Sequence, residues 1–122
     1  MENALRWFEI YVSDMDRARA FYQKVFAFHV TKMETSPEME MWSLSASPHA
    51  GGFGALVKMK GLTPSGVSTI IYFGSDDCSK EESRVIPAGG KIHKNKFSIG
   101  EYGFISLVHD SEGNMIGIHS EK

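Results

Sequence analysis

An apolar run, a Ser-Asp stop, a helical stripe and three strand-like segments follow one another twice in this chain. The first run, residues 5–12, stops at Ser13-Asp14, and the second, residues 67–73, stops at Ser75-Asp76-Asp77. A half-chain unit of this size cannot bury its own apolar face, so the repeat calls for two modules that share one sheet system. The expected order is β-α-β-β-β, twice, in a single domain with modules at about residues 1–62 and 63–122. Such a pairing creates a cleft, and the residues lining it decide function.

Within residues 5–12, Phe8, Ile10 and Val12 fall on one face while Trp7, Glu9 and Tyr11 fall on the other. If the first set meets the helices, the second must line the cleft. Ser13-x-x-Asp16 has the spacing of a capping box, with Asp14 the competing cap, and Ala18, Phe21, Tyr22, Val25 and Phe26 then make a buried helical stripe. Arg17, Arg19 and Lys24 form its solvated side. Strands are expected over residues 28–33, 39–45 and 53–59, with a turn at Ser36-Pro37. The glycine-containing loop at 47–52 lacks the following helix that a phosphate-binding loop requires, so it reads as a turn. In the second half Ser79-x-x-Glu82 marks a helix start, and Pro87 with Gly89-Gly90 ends it. Strands follow over 91–96, 102–109 and 114–120, the last two joined by a tight turn with Gly113 at a positive φ.

Composition narrows the partners. A net charge of -2 without a basic cluster argues against nucleic acid, and no apolar stretch reaches membrane-spanning length. Cys78 is the only cysteine, which excludes an intramolecular disulfide and a thiolate metal cluster. With no secretory leader pattern ahead of Leu5, the expected setting is the cytoplasm and the expected partner a small molecule.

The residues that fill this order resemble the vicinal oxygen chelate superfamily, which includes glyoxalase I, bleomycin-resistance proteins and extradiol dioxygenases. The matching stretches are residues 8–14 with the helix Arg17-Ala18-x-x-Phe21-Tyr22, then Gly54-Ala55-Leu56-Val57, then Gly103-Phe104 through Asp110-x-Glu112-Gly113-Asn114-x-Ile116-Gly117. The resemblance implies an α+β fold of two βαβββ modules, whose curved mixed sheets enclose a central cleft. It also implies a homodimer, formed by docking two clefts or by exchanging modules.

Enzymes of that superfamily hold a divalent metal with ligands on the first and last strands of each module. Carried onto this sequence, those positions fall at Trp7, within 53–57, at Ile70 and at Gly117. Indole, isoleucine and glycine side chains offer no lone pair to an ion, and residues 53–57 hold no Asp, Glu or His. The expectation is therefore no metal and no cofactor, with Trp7, Glu9, Tyr11 and His119 binding a small molecule and no assigned catalytic residue. Trp7 and Tyr11 would stack on a planar or apolar ligand, Glu9 would attract a cationic group, and Gly117 would leave room opposite Trp7. Trp42, Met33, Met41 and Met115 would add adaptable walls. Two alternatives stand beside this. One is a metal-dependent lyase, isomerase or dioxygenase with displaced ligands Glu9, His49 and His119; the other is an association subunit whose cleft is filled. His29, His93 and His109 lack ligand spacing and read as structural.

Overall fold

The computed structural model describes residues 7–35, 37–61 and 70–122. Among these the chain forms β1 (Phe8–Tyr11), α1 (Met15–Phe26), β2 (His29–Met33), β3 (Met39–Ser45), β4 (Gly54–Met59), β5 (Tyr72–Gly74), α2 (Cys78–Val85), β6 (Lys91–Ser98), β7 (Phe104–His109) and β8 (Met115–Ser120). The expected β-α-β-β-β order is present twice. Each module makes one four-stranded mixed sheet, with orders β1-β4-β3-β2 and β5-β8-β7-β6. In both, the first strand runs parallel to the fourth and the remaining pairs are antiparallel.

Strand ends differ from expectation by a few residues, most in the second module. There the first strand is only Tyr72–Gly74, and the connector residues 62–69 lie outside the described residues, as do Leu5 and Ser36. The expected strand start at Tyr102 is instead a 3-10 turn, Gly100–Tyr102, ahead of β7.

Neither capping box forms. Asp14 caps α1 by accepting the Arg17 N–H at 3.0 Å, and Asp77 caps α2 by accepting the Ser79 N–H at 3.0 Å. An aspartate at the N-cap reaches the free N–H groups of the first turn directly, so it displaces the Ser-led alternative. The box residues are then free for longer-range bonds. Ser13 turns to Glu112, and Glu82 accepts the Lys96 N–H at 2.6 Å and the Ser106 hydroxyl at 2.8 Å.

One core serves both modules. Ile10, Val12, Phe21, Tyr22, Val25, Leu44 and Leu56 pack in the same buried cluster as Phe73, Val85, Val108, Ile116 and Ile118. At its centre the Phe73 ring of the second module lies 4.8 Å from Phe26, 5.5 Å from Phe28 and 5.8 Å from Phe8 of the first. These rings remove from water the apolar faces that neither half can cover alone.

Candidate ligand site

Alternation along β1 divides its side chains as the pattern requires. Ile10 and Val12 are buried in the core, while Trp7, Glu9 and Tyr11 stand on the open face of the sheet. The three form a unit: the Trp7 indole N–H donates to Glu9 Oε2 at 3.4 Å, and the Tyr11 hydroxyl donates to Glu9 Oε1 at 3.3 Å. Partial burial and the neighbouring Glu9 carboxylate push the Tyr11 hydroxyl up, so it remains a donor at neutral pH. A carboxylate thus sits between two aromatic rings, with both rings tied to it.

The floor next to these side chains is apolar, with the hydroxyls of Ser43 and Thr31 farther along the row that starts at Glu9. Glu9 lies opposite Ala55 and Tyr11 opposite Val57, both fully buried, and Val57 lies opposite Met41, which pairs with Met33. Met33 and Met41 therefore share the face of Glu9 and Tyr11, as expected of walls. Trp42 does not. It is on the other face, where the Arg19 guanidinium covers its ring at 4.0 Å and Glu40 accepts its indole N–H at 2.9 Å.

His119 belongs to a second open face. On the β5-β8 pair, Tyr72 lies opposite Gly117 and Gly74 opposite His119. The room left by Gly117 is filled by the Tyr72 ring, against which any Cβ at that position would collide, so the expected space opposite Trp7 is not there. Tyr72, 49% exposed, instead walls a groove of about 580 Å³ with Gly74, Ile99, Ile105 and His119. That volume is in the range of small-molecule pockets. Sequence reasoning missed Tyr72, Ile99 and Ile105. The available signal was Gly117 itself, because a glycine inside a strand often marks close approach of another group.

The residues at the superfamily's metal positions do not fit a divalent ion. Gly117 is capped by an aromatic ring, and Trp7 and Ile70 carry no suitable lone pair. Among the described residues, no three His, Cys, Asp or Glu side chains converge on one point. Glu9 on the first sheet, exposed His49 in its loop and His119 on the second sheet are accordingly not assembled into a ligand set.

The site strand is held from the other module. The β7-β8 turn meets the loop between β1 and α1, and Asn114 Nδ2 donates to the Tyr11 carbonyl at 3.0 Å. Glu112 Oε1 accepts the Ser13 N–H at 3.0 Å, the Ser13 hydroxyl at 2.8 Å and the Asp14 N–H at 2.9 Å, while Oε2 accepts the Arg17 Nε–H at 2.6 Å. Burial works against the charge of Glu112, but Arg17 and these donors hold its carboxyl down at about 2. Behind it, buried Asp110 accepts the Tyr22 hydroxyl at 2.8 Å, the N–H groups of Glu112 and Asn114 at 2.8 Å each, and Asn114 Nδ2 at 3.0 Å. Burial nonetheless leaves the Asp110 carboxyl above the usual carboxylate range.

Residues 4–118 match the family model of the Glyoxalase/Bleomycin resistance protein/Dioxygenase superfamily. Proteins named "Putative glyoxylase CFP32" from Mycobacterium bovis and Mycobacterium tuberculosis are each 25% identical over 114 residues, 92% of this chain. The chain spans only 43% of the length of those relatives. Among solved structures, a glyoxalase/bleomycin resistance protein/dioxygenase family enzyme from Burkholderia phytofirmans PsJN has a TM-score of 0.71 at 21% identity, covering 97% of this chain and 98% of its own. TnmS3, an antibiotic binding protein from Streptomyces sp. CB03234, has a TM-score of 0.72 at 20% identity, covering 99% and 98%. At these identities the structural matches establish a shared fold.

Proposed function

Because the chain belongs to the Glyoxalase/Bleomycin resistance protein/Dioxygenase superfamily, yet has no donors at that superfamily's metal positions, we propose that it binds a small molecule without metal or cofactor. The observation that carries this reading is the Trp7-Glu9-Tyr11 unit on an apolar floor. Two rings offer stacking surfaces and the carboxylate between them offers a counter-charge, which suits an aromatic ligand bearing a positive group. The same fold in TnmS3 belongs to an antibiotic binding protein, which agrees with this class. We place the protein in the cytoplasm, in keeping with its single, buried cysteine; no helix among the described residues is long and apolar enough to cross a membrane.

A thermal-shift screen of cationic aromatic compounds supplies the ligand for the decisive comparison. Trp7→Ala should weaken binding about thirtyfold, on the order of 2 kcal/mol, with little change in folding. Phe8→Ala should do the reverse: its ring packs against Phe53 and Phe73, and its loss should cost about 2 to 4 kcal/mol of stability. Affinity should survive chelator treatment, whereas loss of affinity on metal removal would favour the lyase, isomerase or dioxygenase alternative. If Trp7→Ala unfolds the chain as severely as Phe8→Ala, these rings are packing and the binding reading fails.

The two faces also support a homodimer. Trp7 and Tyr72 are both large, exposed and on open sheet faces, one in each module. Pairing two chains through these faces would cover both rings. Light scattering should give twice the chain mass at micromolar concentration, and a monomer there would refute the pairing; a ligand-free structure with a filled cleft would favour the association-subunit alternative.

A further inference from the structure

We infer that His93 and His109, on the edge strand β6 of the second sheet and its inner neighbour β7, form a two-imidazole site for a zinc ion. The residues are sixteen apart in sequence, so no ligand spacing announces them, but β6 and β7 set their rings 5.7 Å apart at 87°. With a Zn–N bond of about 2.0 to 2.1 Å, a ligated imidazole is centred roughly 3.2 Å from the ion. Ring centres at the observed separation would then subtend about 125° at the metal, slightly wider than trigonal geometry, so the rings must draw somewhat closer to reach a tetrahedral angle. Side-chain rotation that turns one nitrogen of each ring toward a shared point would let both meet one ion.

The strand pairing is adapted to this contact. Ile92 lies opposite Val108 and Lys94 opposite Leu107, so His93 is the extra residue at a bulge. Bulges re-aim a side chain out of the regular alternation, and this one turns His93 onto the ring across the strand. Met115 lies directly opposite His109 on β8 and places a thioether on the same face, a further soft donor. Lys91, also opposite His109, brings like charge to an incoming cation, whereas the Lys94 ammonium is withdrawn over the Phe97 ring at 3.9 Å. Two protein ligands beside a lysine imply micromolar rather than tighter affinity, with open positions left for water or a chelating ligand. The site lies on the open face of the second sheet, which Met115 shares with Gly117 and His119, and not on the Trp7-Glu9-Tyr11 face of the first; two imidazoles of one chain suffice for it, so it does not depend on the binding function proposed above.

Calorimetric titration of the tag-free full chain with zinc chloride tests the assignment. One equivalent should bind with micromolar affinity, accompanied by NMR shifts of the His93 and His109 ring protons and not those of exposed His29 and His49. The double variant His93→Asn, His109→Asn should lose at least tenfold in affinity while keeping its melting temperature, since His93 is exposed and His109 half-buried. Glu9→Gln should bind zinc as the wild type does. Absence of stoichiometric binding, unchanged binding by the folded double variant, or loss of binding in Glu9→Gln would each overturn the proposal.

Discussion

Replacing Asp110 by alanine is expected to lower the stability of this chain by about 3 to 5 kcal/mol, the largest effect of any single polar substitution considered. Its carboxyl group accepts four hydrogen bonds: from the Tyr22 hydroxyl, from the N–H groups of Glu112 and Asn114, and from the Asn114 amide. Tyr22 is wholly buried and Asp110 is 3% exposed, so water cannot readily replace the lost acceptor. The donors are stranded and the turn that they organise loosens. Urea unfolding of Asp110→Ala against wild type measures the loss, and Tyr22→Phe, which strands no buried hydroxyl, should cost only about 1 kcal/mol. A loss below about 1 kcal/mol for Asp110→Ala would mean that the turn is held by its apolar neighbours instead.

Glu112→Gln should cost about 2 to 3 kcal/mol at neutral pH, and it should also change how the protein responds to acid. The carboxyl is held at about 2, below its ordinary value of 4.5; converting that shift to free energy and discounting for the half-exposed Arg17 gives the stated cost. For a carboxyl with a depressed folded-state pKa, the stabilisation is complete above the unfolded value and is lost as pH falls from about 4.5 toward 2. Asp110 has the opposite sign. Its folded-state pKa is raised, so the folded state takes up that proton first, and acidification through the window between its two pKa values favours folding. Stability measured against pH in wild type and Glu112→Gln separates the two contributions. The variant should lack part of the steep acid limb; parallel curves would show that the Arg17 pair contributes little to acid sensitivity.

The sequence repeat made the architecture legible because it operates through burial. Phe8, Ile10 and Val12 alternate with Trp7, Glu9 and Tyr11, and a one-residue slip would put the wrong set in water. The side of β1 on which each residue falls could therefore be read without coordinates. The helix starts were legible only to within a turn, since Ser13 and Asp14, like Asp77 and Ser79, are all competent caps, and the sequence does not reveal that the Ser13 hydroxyl is taken up by the distant Glu112. The second face was harder. That Tyr72 covers Gly117 depends on the register between strands some 45 residues apart, and β5 is only three residues long, too short for a periodic signal. That His119 and Trp7 lie on different sheets of one chain was hidden for a related reason: strand parity assigns a face within one sheet and carries no information about which two sheets look at each other.

The Asp110-x-Glu112-Gly113-Asn114 turn has a consequence for the order in which this protein can be completed. Glu112 supplies the acceptor for the Ser13 and Asp14 N–H groups at a sequence separation of up to 99 residues, and Asn114 supplies a donor for the Tyr11 carbonyl across 103. The entrance to the first helix is therefore finished by side chains that the ribosome delivers about a hundred residues later, and closing so long a loop is slow. During synthesis the strand bearing Trp7, Glu9 and Tyr11 must wait, its following loop still solvated, until the last hairpin arrives to latch it. Setting of the Trp7-Glu9-Tyr11 face and completion of the fold are in that sense one event rather than two.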